Sequence, residues 1–479
     1  MARLMAHVPY FYLPVNADWR GRIYPICSTL SYQGSDLAKS LLLFAEGEQI
    51  LPENFPILKR YGSNLWENDK LSLEKRNEWF DQNIDKLRNV NVEDIIDNDA
   101  KFCILAFSIE LERWLDKDYT ELSLIIKKLH DKEKKIKSIT AEMIVQESSN
   151  LTFFPIFLDA TCNGLQQLGA LSRDEKVAKL VNMCSSTSQD NPEDLYSDLI
   201  PFIKERILSN PEAPDSLKNL NLSRKLIKRS IMTIPYSATP VGITEQLIAQ
   251  MDEIHENNEI FYILKDQPNN KLTRKDIFEL ANQMSQAFFD TFPQINEIFE
   301  YCKKISKAHN KLDSKIIWET PTGLKIEQFY LKKEPIRINC SYRNKKYKIT
   351  LLKGTDKLNK SRQNLAFIPN FVHSLDATVL FKTVDNFYTV LRTGKKKNLS
   401  QIFNLITIHD CFATTAGNIN NMEMAVKQSF LEVYQGNKFF NDLISKWENI
   451  EKIKLSSKDR PKFGNYNVRE VLKSKYFIN

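Results

Sequence analysis

Phe153-Phe154-Pro155-Ile156-Phe157-Leu158-Asp159 is an apolar run that ends on a carboxylate, and Ala160-Thr161-Cys162-Asn163-Gly164-Leu165-Gln166-Gln167 follows directly. The run reads as a strand delivering Asp159 to its exposed end, with a helix behind it that Thr161 or Asn163 would cap. Taken alone, an aspartate in that place is more often a helix cap than a metal ligand. The pattern returns at Leu405-Ile406-Thr407-Ile408-His409-Asp410, followed by Cys411-Phe412-Ala413-Thr414. Two strand-end carboxylates this far apart in sequence meet only if their strands share a sheet. Magnesium favours one or two carboxylates completed by water and phosphate oxygens. Two such ions roughly 4 Å apart can activate an attacking oxygen and stabilise a leaving one.

Between the two runs lies Arg224-Lys225-Leu226-Ile227-Lys228-Arg229-Ser230-Ile231-Met232-Thr233-Ile234-Pro235-Tyr236, a cation-rich helical segment. Arg224 and Lys228 are four residues apart and project from one face. A guanidinium beside an ammonium suits a triphosphate, by fork geometry and by point charge. Pro235 ends or kinks the helix. Tyr236 then falls about 80° around from Lys228, where its hydroxyl is placed to sense the sugar of a nucleotide held on the cations. In isolation, a solvated basic helix face explains the same residues.

The 479 residues suffice for two to four units with their own cores. An apolar fraction of 42% and a charged fraction of 27% are those of an ordinary folded protein, and the net charge of +7 permits a polyanionic partner without establishing one. Seven cysteines without CxxC pairing point to reduced thiols and away from a disulfide framework. No run of eighteen apolar residues is present, so no membrane span is expected.

Two stretches read as surface features. Residues 116–150 are dense in Lys and Glu, with helical apolar spacing at Leu122, Ile125, Ile126 and Leu129, and read as an exposed helical insertion. Asn269 to Lys275 reads as a polar break between helices. From Ile316 to Lys360 the pattern becomes β-favouring around a turn at Pro321-Thr322-Gly323, and predicts a basic β-ribbon about 321–352. The rest reads mainly as helix.

The order of these elements resembles the single-subunit, bacteriophage-type RNA polymerases, a group that includes mitochondrial enzymes and those of linear mitochondrial plasmids. Asp18-Trp19-Arg20-Gly21-Arg22-Ile23-Tyr24 resembles the family's DxRGRxY signature, and Gly34 to Lys39 matches the segment after it. Asp159 to Gln166 is similar to its first metal motif, and Arg224 to Tyr236 to its nucleotide-binding helix. Pro369-Asn370-Phe371-Val372-His373-Ser374-Leu375-Asp376 resembles its PNFxHSxD motif, Ile408-His409-Asp410 its second metal motif, and Ser474 to Asn479 its C-terminal foot.

The resemblance implies an α+β, mainly helical right-hand polymerase. Palm is expected over 1–175 and 374–479, fingers over 176–373, and no thumb or N-terminal promoter domain is expected within these residues. Asp159 and Asp410 would bind two Mg2+ ions, with the Ala160 carbonyl as a further ligand. Arg224 and Lys228 would hold the triphosphate, and Lys228 would also protonate the departing pyrophosphate. Tyr236 would select ribose, with His373 and Tyr196 nearby. Arg20 and Arg22 would meet the template or hybrid, and His409 would orient Asp410 and the primer end. The ribbon occupies the place of the promoter-reading loop. Expected partners are a DNA template, the RNA product and NTPs, with a transcription factor or a separate N-terminal polymerase part as a further candidate. The protein is expected to be a monomer and mitochondrial. Gln167 stands where the family usually has histidine, Ala160 and Ser237 where it usually has glycine, and the DxRGR motif, normally preceded by several hundred residues, begins at Asp18. A related hand-shaped DNA polymerase and an inactive remnant that only binds nucleic acid are the competing readings.

Overall fold

The computed structural model describes residues 1–8, 10–49, 51–116, 151–185, 190–256, 259–343, 345–393, 404–450 and 455–479. The expected helical insertion therefore lies, beyond Asp116, outside the described residues. The architecture is α+β and about 53% helical. No described helix is long and apolar enough to cross a membrane.

The two apolar runs share one sheet. Ile406–Ile408 and Cys411–Thr414 form a hairpin, and Cys411–Thr414 pairs antiparallel with Ile156–Asp159 on its other side. The register sets Cys411 opposite Asp159 and Thr414 opposite Ile156. Asp410 is therefore a turn residue, where a strand end was expected. It shares a two-residue loop with His409, whose φ of 58° is the left-handed conformation that tight hairpins use.

The helix behind Asp159 spans Asn163–Ser172, and every residue of it is buried. Its N-cap is Cys162, with no side-chain cap. Thr161 and Asn163 thus do not take the expected capping role. The Thr161 hydroxyl donates to the Tyr476 carbonyl, and Asn163 Oδ1 accepts from Gln167 Nε2 at 2.9 Å. Burial in the core holds this helix, as tertiary packing generally does for short helices.

The cationic helix Arg224–Thr233 starts at Ser223, whose side chain accepts from the Leu226 amide, and buries Leu226, Ile227, Ser230 and Ile231. Pro235 stops the α-helix as the sequence predicts, and a 3-10 turn over Ile234–Tyr236 follows.

In place of one ribbon there are two hairpins. Ile316–Glu319 pairs with Lys325–Gln328, and strict alternation buries Ile316, Trp318, Ile326 and Gln328. Gly323, at φ 84°, makes the connecting turn. The second hairpin, Leu331–Tyr342 with Lys345–Leu358, is exposed almost throughout. Its register places Ile336 opposite Leu351 and Ile338 opposite Ile349 on one face, and Arg337 opposite Thr350 and Asn339 opposite Lys348 on the other. The expected polar break at Asn269 to Lys275 is a correction. Gln267–Leu272 is the third strand of an antiparallel sheet with Asp252–Glu256 and Glu259–Leu264. Its polar edge reads as loop, but Tyr262, Leu264 and Leu272 bury one face.

The helix Lys360–Thr393 carries Pro369 to Asp376. It joins the first hairpin to the Lys438–Glu448 helix through rings. Trp318 lies 5.6 Å from Phe367 and 6.0 Å from Phe371, and Trp447 lies 5.7 Å from Phe367 and 6.3 Å from Phe371. Trp318 Nε1 donates to Ser374 Oγ at 2.9 Å, and Trp447 Nε1 to the Ile317 carbonyl at 3.2 Å. Phe371 is 1% exposed and touches both tryptophans. Phe371→Ala is therefore expected to destabilise the fold by about 3–5 kcal/mol in urea denaturation; a loss under about 1 kcal/mol would show that the cluster does not carry the packing.

Candidate active site

Asp159 and Asp410 come together because the sheet ends there. Cys411, next to Asp410, is paired with Asp159, and the Ala160 amide donates to the Asp410 carbonyl at 3.2 Å. The other edge of the Asp159 strand is closed by the last residues of the chain. Asn479 N donates to the Asp159 carbonyl at 2.9 Å, and Asp159 N to the Asn479 carbonyl at 3.2 Å. Gln166 Nε2 donates to the Phe477 carbonyl at 2.9 Å, so the helix after Asp159 grips the same segment.

A cleft of about 240 Å3 opens above this sheet end. Asp159, Ala160, Asp410, Arg224, Lys228, Tyr196 and Tyr236 all line it. Seven of the predicted site residues, from four separate stretches of sequence, thus surround one space. Arg224 Nε donates to Asp194 at 2.7 Å and the guanidinium lies 5.5 Å over the Tyr196 ring, which fixes its direction. Lys228 is exposed at the cleft, and its charge favours the ionised form of Asp159. The Tyr196 hydroxyl donates to Cys162 Sγ at 3.5 Å.

Tyr236 closes the far side. A side chain at Gly164 would meet the Tyr236 hydroxyl at 2.6 Å, so only glycine lets the ring lie against the first turn of the Asn163–Ser172 helix. Burial, then the charges of Asp410 and Asp376, push the Tyr236 hydroxyl up, so it remains a donor at neutral pH. Ser237 after it adopts φ 62°. This left-handed conformation costs a side-chain-bearing residue about 1–2 kcal/mol, which accounts for glycine being usual there in the family the chain resembles.

The remaining predicted residues stand behind the cleft. His373 packs on Tyr236 with ring centroids 5.2 Å apart, and its Nδ1 lies 2.7 Å from Arg20 Nη1. Burial, then Arg22 and Arg20, lower its pKa to about 3, so the imidazole is neutral. Arg20 is also held by Asp18. Arg22 pairs with Asp376, their side chains 14% and 2% exposed. His409 lies edge-on to Tyr24, with centroids 4.9 Å apart. With Asp376 and Asp410 it lines a second, smaller pocket of about 20 Å3. Burial, then Arg22, lower its pKa to about 4. The structure thus gives Arg20, Arg22 and His409 protein neighbours behind the cleft.

Asp69, Lys70 and Asn479 also line the cleft, and no sequence signal marked them as site residues. Lys70 sits in a loop without a pattern, and Asn479 arrives only through tertiary folding. Lys39, on the Asp36–Ser40 helix, favours the charged form of Asp159 from outside the lining. Gln167 is buried, donating to Asn163 and accepting from the Tyr434 hydroxyl, so it packs into the core beside the Asp159 segment.

The donor set fits a hard divalent cation. Asp159 touches solvent inside the cleft, yet surrounding protein desolvates its carboxyl and pushes it up. Burial pushes Asp410 well up, and repulsion from Asp159 and Asp376 adds to this. Arg22 offsets the charge of Asp376 only in part. Carboxylates gathered with insufficient positive charge, beside a backbone carbonyl at Ala160, form an oxygen environment suited to a hard divalent cation.

The sequence profile of the DNA-dependent RNA polymerase family matches residues 137–453. The chain is 34% identical, over 96% of its length, to a probable DNA-directed RNA polymerase of Neurospora crassa, covering 48% of that protein. It is 32% identical over 92% of its length to a probable DNA-directed RNA polymerase of Podospora anserina, covering 44%. It is 30% identical over its whole length to DNA-directed RNA polymerase 1, mitochondrial, of Nicotiana sylvestris, covering 44%. The chain spans about half the length of the curated relatives it matches. With two thirds of its residues inside the profile and the cleft carrying that family's motifs, the chain belongs to the DNA-dependent RNA polymerase family.

Proposed function

We propose that this chain is the catalytic part of a DNA-directed RNA polymerase, joining ribonucleoside monophosphates from NTPs to the 3′-OH of RNA on a DNA template. One observation carries the reading: a single cleft is lined by Asp159, Asp410, Arg224, Lys228 and Tyr236. Residues 1–175 and 374–479 correspond to a palm, and 176–373 to fingers carrying the exposed ribbon as a promoter-reading loop.

Two Mg2+ ions held by Asp159, Asp410 and the Ala160 carbonyl would supply charge neutralisation and activation of the attacking oxygen. The chain's own groups do the rest. Arg224, steadied by Asp194 and Tyr196, offers its outer nitrogens to the triphosphate. Lys228 balances the charge that develops on pyrophosphate and donates a proton to it. Tyr236, protonated and braced by His373, presents its hydroxyl to the ribose 2′-OH. Arg22 and Asp376 hold the floor beneath Asp410.

The mitochondrial relatives from Nicotiana support a mitochondrial location. Transcription in mitochondria or of a mitochondrial plasmid, by a monomer, completes the reading. DNA template, RNA and NTPs are its partners.

Four outcomes test it. Asp159→Asn and Asp410→Asn should each lower magnesium-dependent NTP incorporation on a primed template by at least about a thousandfold; retained incorporation refutes the carboxylate assignment. In a chelator, Asp410→Asn should melt higher than the parent by about 1 kcal/mol, because a buried repulsion is removed. The same variant should lose the rise in Tm that millimolar magnesium gives the parent. Tyr236→Phe should relax discrimination against dNTPs in single-nucleotide extension, and an unchanged rNTP/dNTP ratio would sink that role.

A further inference from the structure

Arg76, on the helix Leu73–Gln82, is 1% exposed. A guanidinium this deeply buried ordinarily faces a carboxylate. Here its hydrogen bonds go to neutral oxygens. Nε donates to the Leu71 carbonyl at 2.9 Å, Nη2 to the Asp69 carbonyl at 2.8 Å, and Nη1 to Asn64 Oδ1 at 3.0 Å and to Asn479 Oδ1. The guanidinium also lies 5.7 Å over the Tyr476 ring.

These partners belong to two walls of the cleft. Asp69 and Leu71 flank Lys70 in the loop that reaches it. Asn479 is bonded through its backbone to Asp159 in both directions, and its side-chain amide donates to the Asp69 carbonyl at 3.1 Å. A planar fork with five donors can join both walls at once, whereas an ammonium radiates from one point.

We propose that Arg76 is a positioning residue, one that clamps the Asp69–Lys70 loop to Asn479 and through it to the Asp159 strand, fixing the width of the cleft. The clamp stands on geometry alone; its effect on nucleotide binding rests on the function proposed above. Removing a bond here leaves a buried charge short of partners, so the walls should loosen locally, not merely shift.

Hydrogen exchange of the full chain tests the clamp without relying on activity. Arg76→Lys and Asn479→Ala should each speed exchange in residues 156–161 and 474–479 by roughly tenfold or more, with the Arg224–Thr233 helix unchanged. In primed extension both should raise the KM for NTP by about tenfold while the rNTP/dNTP ratio stays at the parent value, since the Tyr236 wall is untouched. Parent-like exchange at both segments in Asn479→Ala overturns the clamp, as does a fall in the rNTP/dNTP ratio alongside KM. If Arg76→Lys does not fold, Asn479→Ala decides alone. If the parent incorporates no nucleotide, the functional reading fails and the exchange result still decides the clamp.

Discussion

Carboxylates held close together in a poorly hydrated place repel one another and resist ionisation, and much of this molecule serves to keep three of them there. The antiparallel pairing of Cys411 with Asp159 gathers the acids at one sheet end. Asp376 approaches from beneath on a long helix and is tied to Arg22. Backbone bonds from Ala160 and Asn479 keep the strand from moving away. Such a cluster is costly for the apo fold, and the cost is the one expected of a site that a divalent cation completes.

Around this anionic centre the cations fall into two groups. Arg22, Arg20 and Arg76 are bonded to protein and act on the shape of the site. Lys228 and Lys70 line the cleft itself, Lys70 paired there with Asp69 at 3.1 Å, and Arg224 joins them with Asp194 holding only its Nε. The division follows from side-chain chemistry. A guanidinium can bridge several oxygens while buried, and an ammonium keeps its hydration at a surface. Neutral His373 behind Tyr236 fits the same scheme, because a charged imidazole between Arg20 and Arg22 would be repelled.

The sequence by itself determined the local chemistry: strands before Asp159 and near Asp410, a helix with Arg224 and Lys228 on one face, a stop at Pro235, and β-structure around Pro321. Those features depend on periodicity, capping and proline geometry, which act over a few residues. Order of motifs then identified the family. Legibility ended where the partner is remote. Nothing near Thr161 or Asn163 signals that a tail more than three hundred residues away outcompetes helix capping, and nothing around Gln267 shows that Leu272 has a core to enter.

Only the tertiary structure decided that Asp410 lies in a turn, that Asn479 lines the cleft, that Lys70 joins the cations, and that Arg22 is committed to Asp376. Each of these is a contact between segments far apart along the chain, chosen by packing and by the need of buried polar groups for partners. Local pattern cannot encode such a choice, because the same residues in another fold would satisfy themselves elsewhere.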